Sequence, residues 1–223
     1  MSDARPATAP DATPTEAPVG GDIRIALPGS WWNIPLEDSV ASASAVRTIV
    51  NTSVGRADDR VMIRRALRDE LQKDVDAARA SGAHGLYLAR EIASGIPMSG
   101  SLAVFWPRLS NLPEDADDAR LLRAAIKAAL ADGALDGGTT FDPAETREFE
   151  SVSSVLLRRV RRHTIEDANG RPSTTIQCDY WVAFEEHSRP VLLSFSSSLA
   201  GMDEKLIGLF DAIAATATWV AQD

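Results

Sequence analysis

The feature that most constrains the fold is a run near the C-terminal end: two alternating segments, 173–186 and 190–198, followed by an amphipathic segment, 203–220. In the first, Ile176, Cys178, Tyr180, Val182 and Phe184 alternate with Gln177, Asp179, Trp181, Ala183 and Glu185. Period-two alternation sends the two sets to opposite faces of a strand, and the first set makes one of those faces core. The closing segment carries Leu206, Phe210, Ile213, Ala217 and Val220 on one helical stripe. Asp203 and Glu204 stand in its first turn, where the helix dipole favours acids. Residues 147–165 form a further extended stretch upstream, with Asn169-Gly170 marking the first reversal and 187–190 the second. This end of the chain therefore reads as a β-meander closed by a helix.

The preceding part supplies helices and more strands. Residues 22–27 alternate and stop at Pro28-Gly29, which is a strand running into a turn. Helices are expected at 38–54, ended by Gly55, and at 58–81, where Ile63, Leu67, Leu71, Val75 and Ala78 form an apolar stripe ended by Gly82. Two adjacent antiparallel strands, 85–92 and 99–106, follow, then a helix at 115–132; residues 134–146 are turn-rich. The sum is an α+β fold: one antiparallel sheet of about five or six strands covered by helices. Residues 1–21, with prolines at 6, 10, 14 and 18 and almost no aliphatic side chains, cannot offset their ordering entropy and are expected to be a disordered tail. Residues 22–223 then form a single domain with a helical insertion at 38–81.

Charge and composition exclude several classes. A net charge of −9 and a pI near 4.9 oppose non-specific attraction to nucleic acid or anionic lipid. No stretch approaches the ~20 apolar residues of a membrane helix, and 1–21 has neither the apolar core of a leader nor a lipidatable cysteine. The expected location is therefore cytoplasmic. Cys178 is the one cysteine, so no intrachain disulfide forms. Arginine outnumbers lysine 20 to 3, an imbalance that GC-rich bacterial coding produces.

Candidate chemistry is sparse. His84, His163 and His187 lack a His or Cys at ligand spacing, and Gly133, Gly137 and Gly138 follow a helix where a phosphate loop must precede one, so no metal or other cofactor is expected. Ser194, Ser196, Ser197 and Ser198, with His187 nearby and Asp179 upstream, allow a nucleophile, base and acid to assemble, without any nucleophile elbow. A serine ladder on a solvated strand face explains the same run. Arg158, Arg159, Arg161 and Arg162 put four guanidinium groups into five positions of an extended segment. They are the candidate contact patch for another protein, since guanidinium forks recognise carboxylates bidentately. Alternatively they are balanced by acids on neighbouring strands, such as Glu185 and Asp179. Trp31 and Trp32, if extended, point to opposite faces and are candidate interface anchors, or pack as caps on the core.

The meander whose last strand, Val191-Leu192-Leu193-Ser194-Phe195-Ser196, enters the final helix through a short acidic turn resembles the PsbP-like superfamily. Leu209-Phe210-Asp211-Ala212-Ile213-Ala214 with Thr218-Trp219, and Leu27-Pro28-Gly29-Ser30-Trp31, are similar to positions recurring there. The resemblance covers about half the chain and implies an α/β/α sandwich used as a binding or assembly module. Photosystem accessory proteins, small-GTPase regulators, bacterial lipoproteins and effector chaperones use it so. It brings no catalytic residue set, and the insertion at 38–81 departs from compact members. The expected function is a non-enzymatic adaptor or accessory protein that binds another protein, with bacterial secretion or effector delivery as a setting. The alternative is a hydrolase or small-ligand enzyme around His163 or Ser194–Ser198. A third reading is self-association through an exposed sheet edge.

Overall fold

A computed structural model describes residues 15–19, 23–107, 119–131, 146–151, 154–166, 172–184, 189–199 and 201–220. In chain order the strands and helices are β1 (Thr15–Val19), β2 (Ile23–Leu27), β3 (Ser30–Ile34), α1 (Ser39–Val54), α2 (Val61–Ala80), β4 (Ala83–Ala93), β5 (Ile96–Pro97) and β6 (Ser101–Phe105). Then come α3 (Ala119–Ala131), β7 (Thr146–Glu150), β8 (Ser154–Glu166), β9 (Pro172–Phe184), β10 (Val191–Ser197), α4 (Asp203–Ala214) and β11 (Thr218–Trp219). A single 3₁₀ turn, Asp58–Arg60, leads into α2.

The α+β class holds, with more strands than the sequence predicts and two sheets in place of one. An eight-stranded antiparallel sheet has the order β3-β4-β6-β10-β9-β8-β7, with β5 folded back onto β4, and a three-stranded sheet has the order β1-β2-β11. Three local events account for part of the surplus, and the short strands β3 and β5 supply the rest. The stretch 147–165 is two antiparallel strands, β7 ending at Glu150 and β8 beginning at Ser154: the Ser151 N–H donates to the Ser154 carbonyl at 2.8 Å and the two hydroxyls pair at 2.9 Å. Hydroxyl side chains close this turn without glycine or proline. The last helix does not run to 220. Thr216 Oγ1 donates to the Ile213 carbonyl at 2.6 Å and accepts the Ala26 N–H at 2.9 Å, so the helix end is tied to β2 and the chain leaves as β11. Finally, the segment 1–21 contributes β1, paired in register with β2; the sequence reading has no strand there, and the rest of that segment lies outside the described residues. Main-chain pairing to an open edge needs no apolar side chains, which is why composition misses it.

The large sheet is covered on both faces. On one, Ile23, Ile25 and Leu27 of β2 and Leu206, Phe210 and Ile213 of α4 pack on Cys178, Tyr180, Val182, Leu193 and Phe195. Phe195 and Phe210 stack at 4.8 Å, both fully buried, and each such side chain contributes roughly 1.5–3 kcal/mol of burial. On the other face the covering is divided. Helices α1 and α2 close over Ile34, Leu36 and Leu86, while α3 lays Leu122 and Ile126 on Leu157, Trp181 and Ala183. The helical insertion is thus part of the core. Asp38 caps α1, its carboxylate accepting the Val40 and Ala41 N–H groups at 2.8 and 3.1 Å. Arg79 fixes the far end of α2 by donating to the Leu36 carbonyl and to Ser42 Oγ, each at 2.9 Å.

Helix α3 is also held to the end strand β7 by Glu148, which takes Lys127 and, at 2.9 Å, Arg123. The hydrogen bond from Lys127, opposed by some desolvation and aided by both cations, holds the Glu148 carboxyl below its ordinary value. A group with a lowered folded pKa contributes stability above its unfolded value, about 4.3. That contribution is lost as pH falls through the lower folded value. The difference in urea midpoint between wild type and Glu148→Gln is therefore expected at pH 7 and should shrink as pH falls below the ordinary carboxylate range.

Candidate functional site

Alternation along β8 divides the four arginines two and two, and register says what each pair meets. Arg158 and Arg162 face α4. Arg158 reaches Asp211 at 2.5 Å and Arg162 reaches Asp203 at 2.8 Å. Asp211 also accepts the Tyr180 hydroxyl at 2.7 Å. Burial chiefly, then the neighbouring Cys178 and that bond to Asp211, push the Tyr180 phenol far above its ordinary range, so it stays a donor. Burial likewise pushes the Cys178 thiol up to about 12, which makes it an inert apolar side chain.

Arg159 and Arg161 face the opposite way. There the cross-strand rows run Arg159–Asp179–Ser194–Ala103–Leu86 and Arg161–Gln177–Ser196–Ser101–Leu88. Their β8, β9 and β10 members form a polar block between the α1–α2 cover and the α3 cover. Asp179, 4% exposed, is its hub: one carboxylate oxygen accepts Ser194 Oγ at 2.7 Å and Gln177 Nε2 at 3.0 Å, and the other takes Arg161. Ser101 and Ser196 pair at 2.7 Å. Beside them a shallow hollow of about 170 Å³ is lined by Leu88, Ser99, Gly100, Ser101, Ser196 and Ser197. The four arginines therefore do not share one exposed surface. Arg159 is 2% exposed, and the other three each meet an acid of this chain.

The same register brings the serine and carboxylate of the hydrolase reading together and sets His163 apart from them. Ser194 donates straight to Asp179 with no imidazole between them. His163 pairs with Thr175, four residues along β9 from Asp179, a displacement of about 13 Å. His187 and Glu185 lie outside the described residues.

Trp31 and Trp32 stand on β3, the end strand of the large sheet, and point to opposite faces as their spacing predicts. Trp31 packs on the α4-side core and donates its indole N–H to the Pro28 carbonyl at 2.8 Å. Trp32 packs under α1 and α2, with the Arg90 guanidinium 5.9 Å from its ring. Each is half-buried.

A surface that sequence reasoning missed is the tip of the α1–α2 hairpin. Val61, Met62 and Ile63 are 50, 73 and 59% exposed. The stripe assignment put Ile63 in the core, but the fully buried part of α2 is confined to Leu71 and Val75. Three apolar residues in succession sweep about 200° around a helix, so they cannot all face one way. That was the available signal. The tip is held by its own arginines: Arg60 donates to the Val54 carbonyl at 2.9 Å, and Arg64 to the Gly55 and Ala57 carbonyls at 2.9 and 2.7 Å. These carbonyls end α1 and form the turn, so the apolar triplet is presented on a fixed backbone.

Among the described residues no group of three or more His, Cys, Asp or Glu could hold a metal ion, and no helix is long and apolar enough to cross a membrane. No protein family model, characterised protein or solved structure matches the chain.

Proposed function

We propose that this protein is a non-enzymatic adaptor that binds another protein through the α1–α2 tip. The observation that carries this reading is the contiguous exposure of Val61, Met62 and Ile63 on a turn already fixed by Arg60 and Arg64. Exposed apolar side chains on a pre-ordered backbone lose little entropy on docking, and a helix end of this kind suits an apolar groove. The rim holds Arg56, Arg65 and Arg68 together with Asp58, Asp59, Asp69 and Glu70. Both signs at the rim fit a protein surface better than an anionic lipid surface, which would repel the acids. The PsbP-like resemblance supports the same class of role.

A photo-crosslinking amino acid at position 62, with the same group at the exposed Lys205 as control, tests the reading in the native cell. One predominant protein adduct is expected from position 62 and not from 205. Equal or absent adducts at both positions would remove the tip as the contact.

A further inference from the structure

We infer that β3 and α1 form a two-fold interface through which two copies of this chain join their large sheets edge to edge. Strand β3 ends the sheet, and among the described residues no strand pairs with its outer edge. An open edge of this kind is normally guarded by charge, proline or shortness. The other edges are guarded. Strand β7, Thr-Arg-Glu-Phe-Glu, has three charged residues in five, β1 contains Pro18, and β11 has two residues. Strand β3 is Ser-Trp-Trp-Asn-Ile, without a charge or a proline.

A second copy fits this edge because a two-fold axis sets like against like. For β7, an axis through Glu148 would oppose two carboxylates. For β3, an axis through Trp32 opposes Ser30 to Ile34, Trp31 to Asn33 and Trp32 to its symmetry mate, with no like charges brought together. Trp32 then packs on its symmetry mate, and Trp31, set against Asn33, gains cover on the other face of the joined sheet.

The helix over this edge has the same character. Helix α1 packs on β3 and carries one charged residue, Arg47, in 16, whereas α2 carries nine in 20. Its exposed positions include Val40, Ser44, Thr48 and Thr52. On a chain with 25% charged residues and net charge −9, an exposed helix that avoids charge lacks the marks of a solvated surface. Its exposed side chains are small apart from Arg47, its one charge, so its two-fold copy can approach with little repulsion. This surface is distinct from the hairpin tip, and the inference does not depend on the adaptor reading.

Sedimentation equilibrium over a wide concentration range tests it with the full chain. Wild type is expected to reach twice the chain mass. Asn33→Lys and Ser44→Glu both alter exposed side chains. Asn33→Lys sets two lysines diagonally across the axis and Ser44→Glu adds a carboxylate to each of the two helices, and each should weaken the dimer about tenfold or more. Circular dichroism and urea unfolding of the variants at monomeric concentrations confirm that they fold. A wild type that remains monomeric at the highest concentration, or a dimer indifferent to both substitutions, would overturn the proposal.

Discussion

Asp179→Ala is expected to destabilise the protein by about 3–5 kcal/mol, the cost of removing one partner of a buried ion pair. Asp179 is 4% exposed and accepts from Ser194, Gln177 and Arg161 at once. Alanine removes the carboxylate that takes Ser194 and Arg161 and one of the two acceptors of Gln177, and it does so beside Arg159, which is its direct cross-strand partner and also buried. The loss is therefore larger than the sum of ordinary hydrogen bonds, each worth about 1 kcal/mol. Replacing the pair together, Asp179→Leu with Arg161→Met, should recover most of the loss, because the desolvated charge goes with its partner. Urea unfolding followed by tryptophan fluorescence measures both. A single variant as stable as wild type would mean that the polar block does not hold the sheet.

Asp211→Ala should cost about 3 kcal/mol, a little less because the carboxylate is partly solvated. Its side chain is 24% exposed, against 12% for Arg158. The change strands Arg158, whose Nε is buried without a hydrogen bond, and removes the acceptor of the fully buried Tyr180. Since Asp211 ties α4 to both β8 and β9, the loss should appear as faster amide exchange in α4 before global unfolding. Tyr180→Phe, which deletes only the hydroxyl, should cost about 1 kcal/mol. If it cost as much as Asp211→Ala, the phenol and not the ion pair would be the dominant tie.

How far the fold could be read from the chain depended on which signals are local. Strands β9 and β10 and helix α4 were legible because their periods are long and their ends are marked by Asn169-Gly170, Pro190 and Asp203. The β7–β8 reversal was not, since serines close it without glycine or proline. Strand β11 was not, since the alanines at 212, 214, 215 and 217 continue a helical pattern that Thr216 ends by a contact with β2, 190 residues away. The same limit governed the site. Period-two spacing correctly sent the arginines of β8 to two faces, but it carries no information about which acids wait on α4 or β9. Burial of Arg159 depends on long-range register, and exposure of Ile63 depends on where the sheet stops supporting α2.

Within the described residues Arg158, Arg161 and Arg162 each pair with an acid of the same domain, and the proposed surface for another protein is the α1–α2 tip. The most direct measurement is the affinity of the protein trapped at position 62, purified and titrated calorimetrically against wild type and against the Met62→Asp/Ile63→Asp variant. The account predicts affinity weakened about thirtyfold or more by loss of an apolar anchor. It also predicts a folding stability within about 0.5 kcal/mol of wild type, because both side chains are solvent-exposed. Unchanged affinity in the folded variant would contradict it.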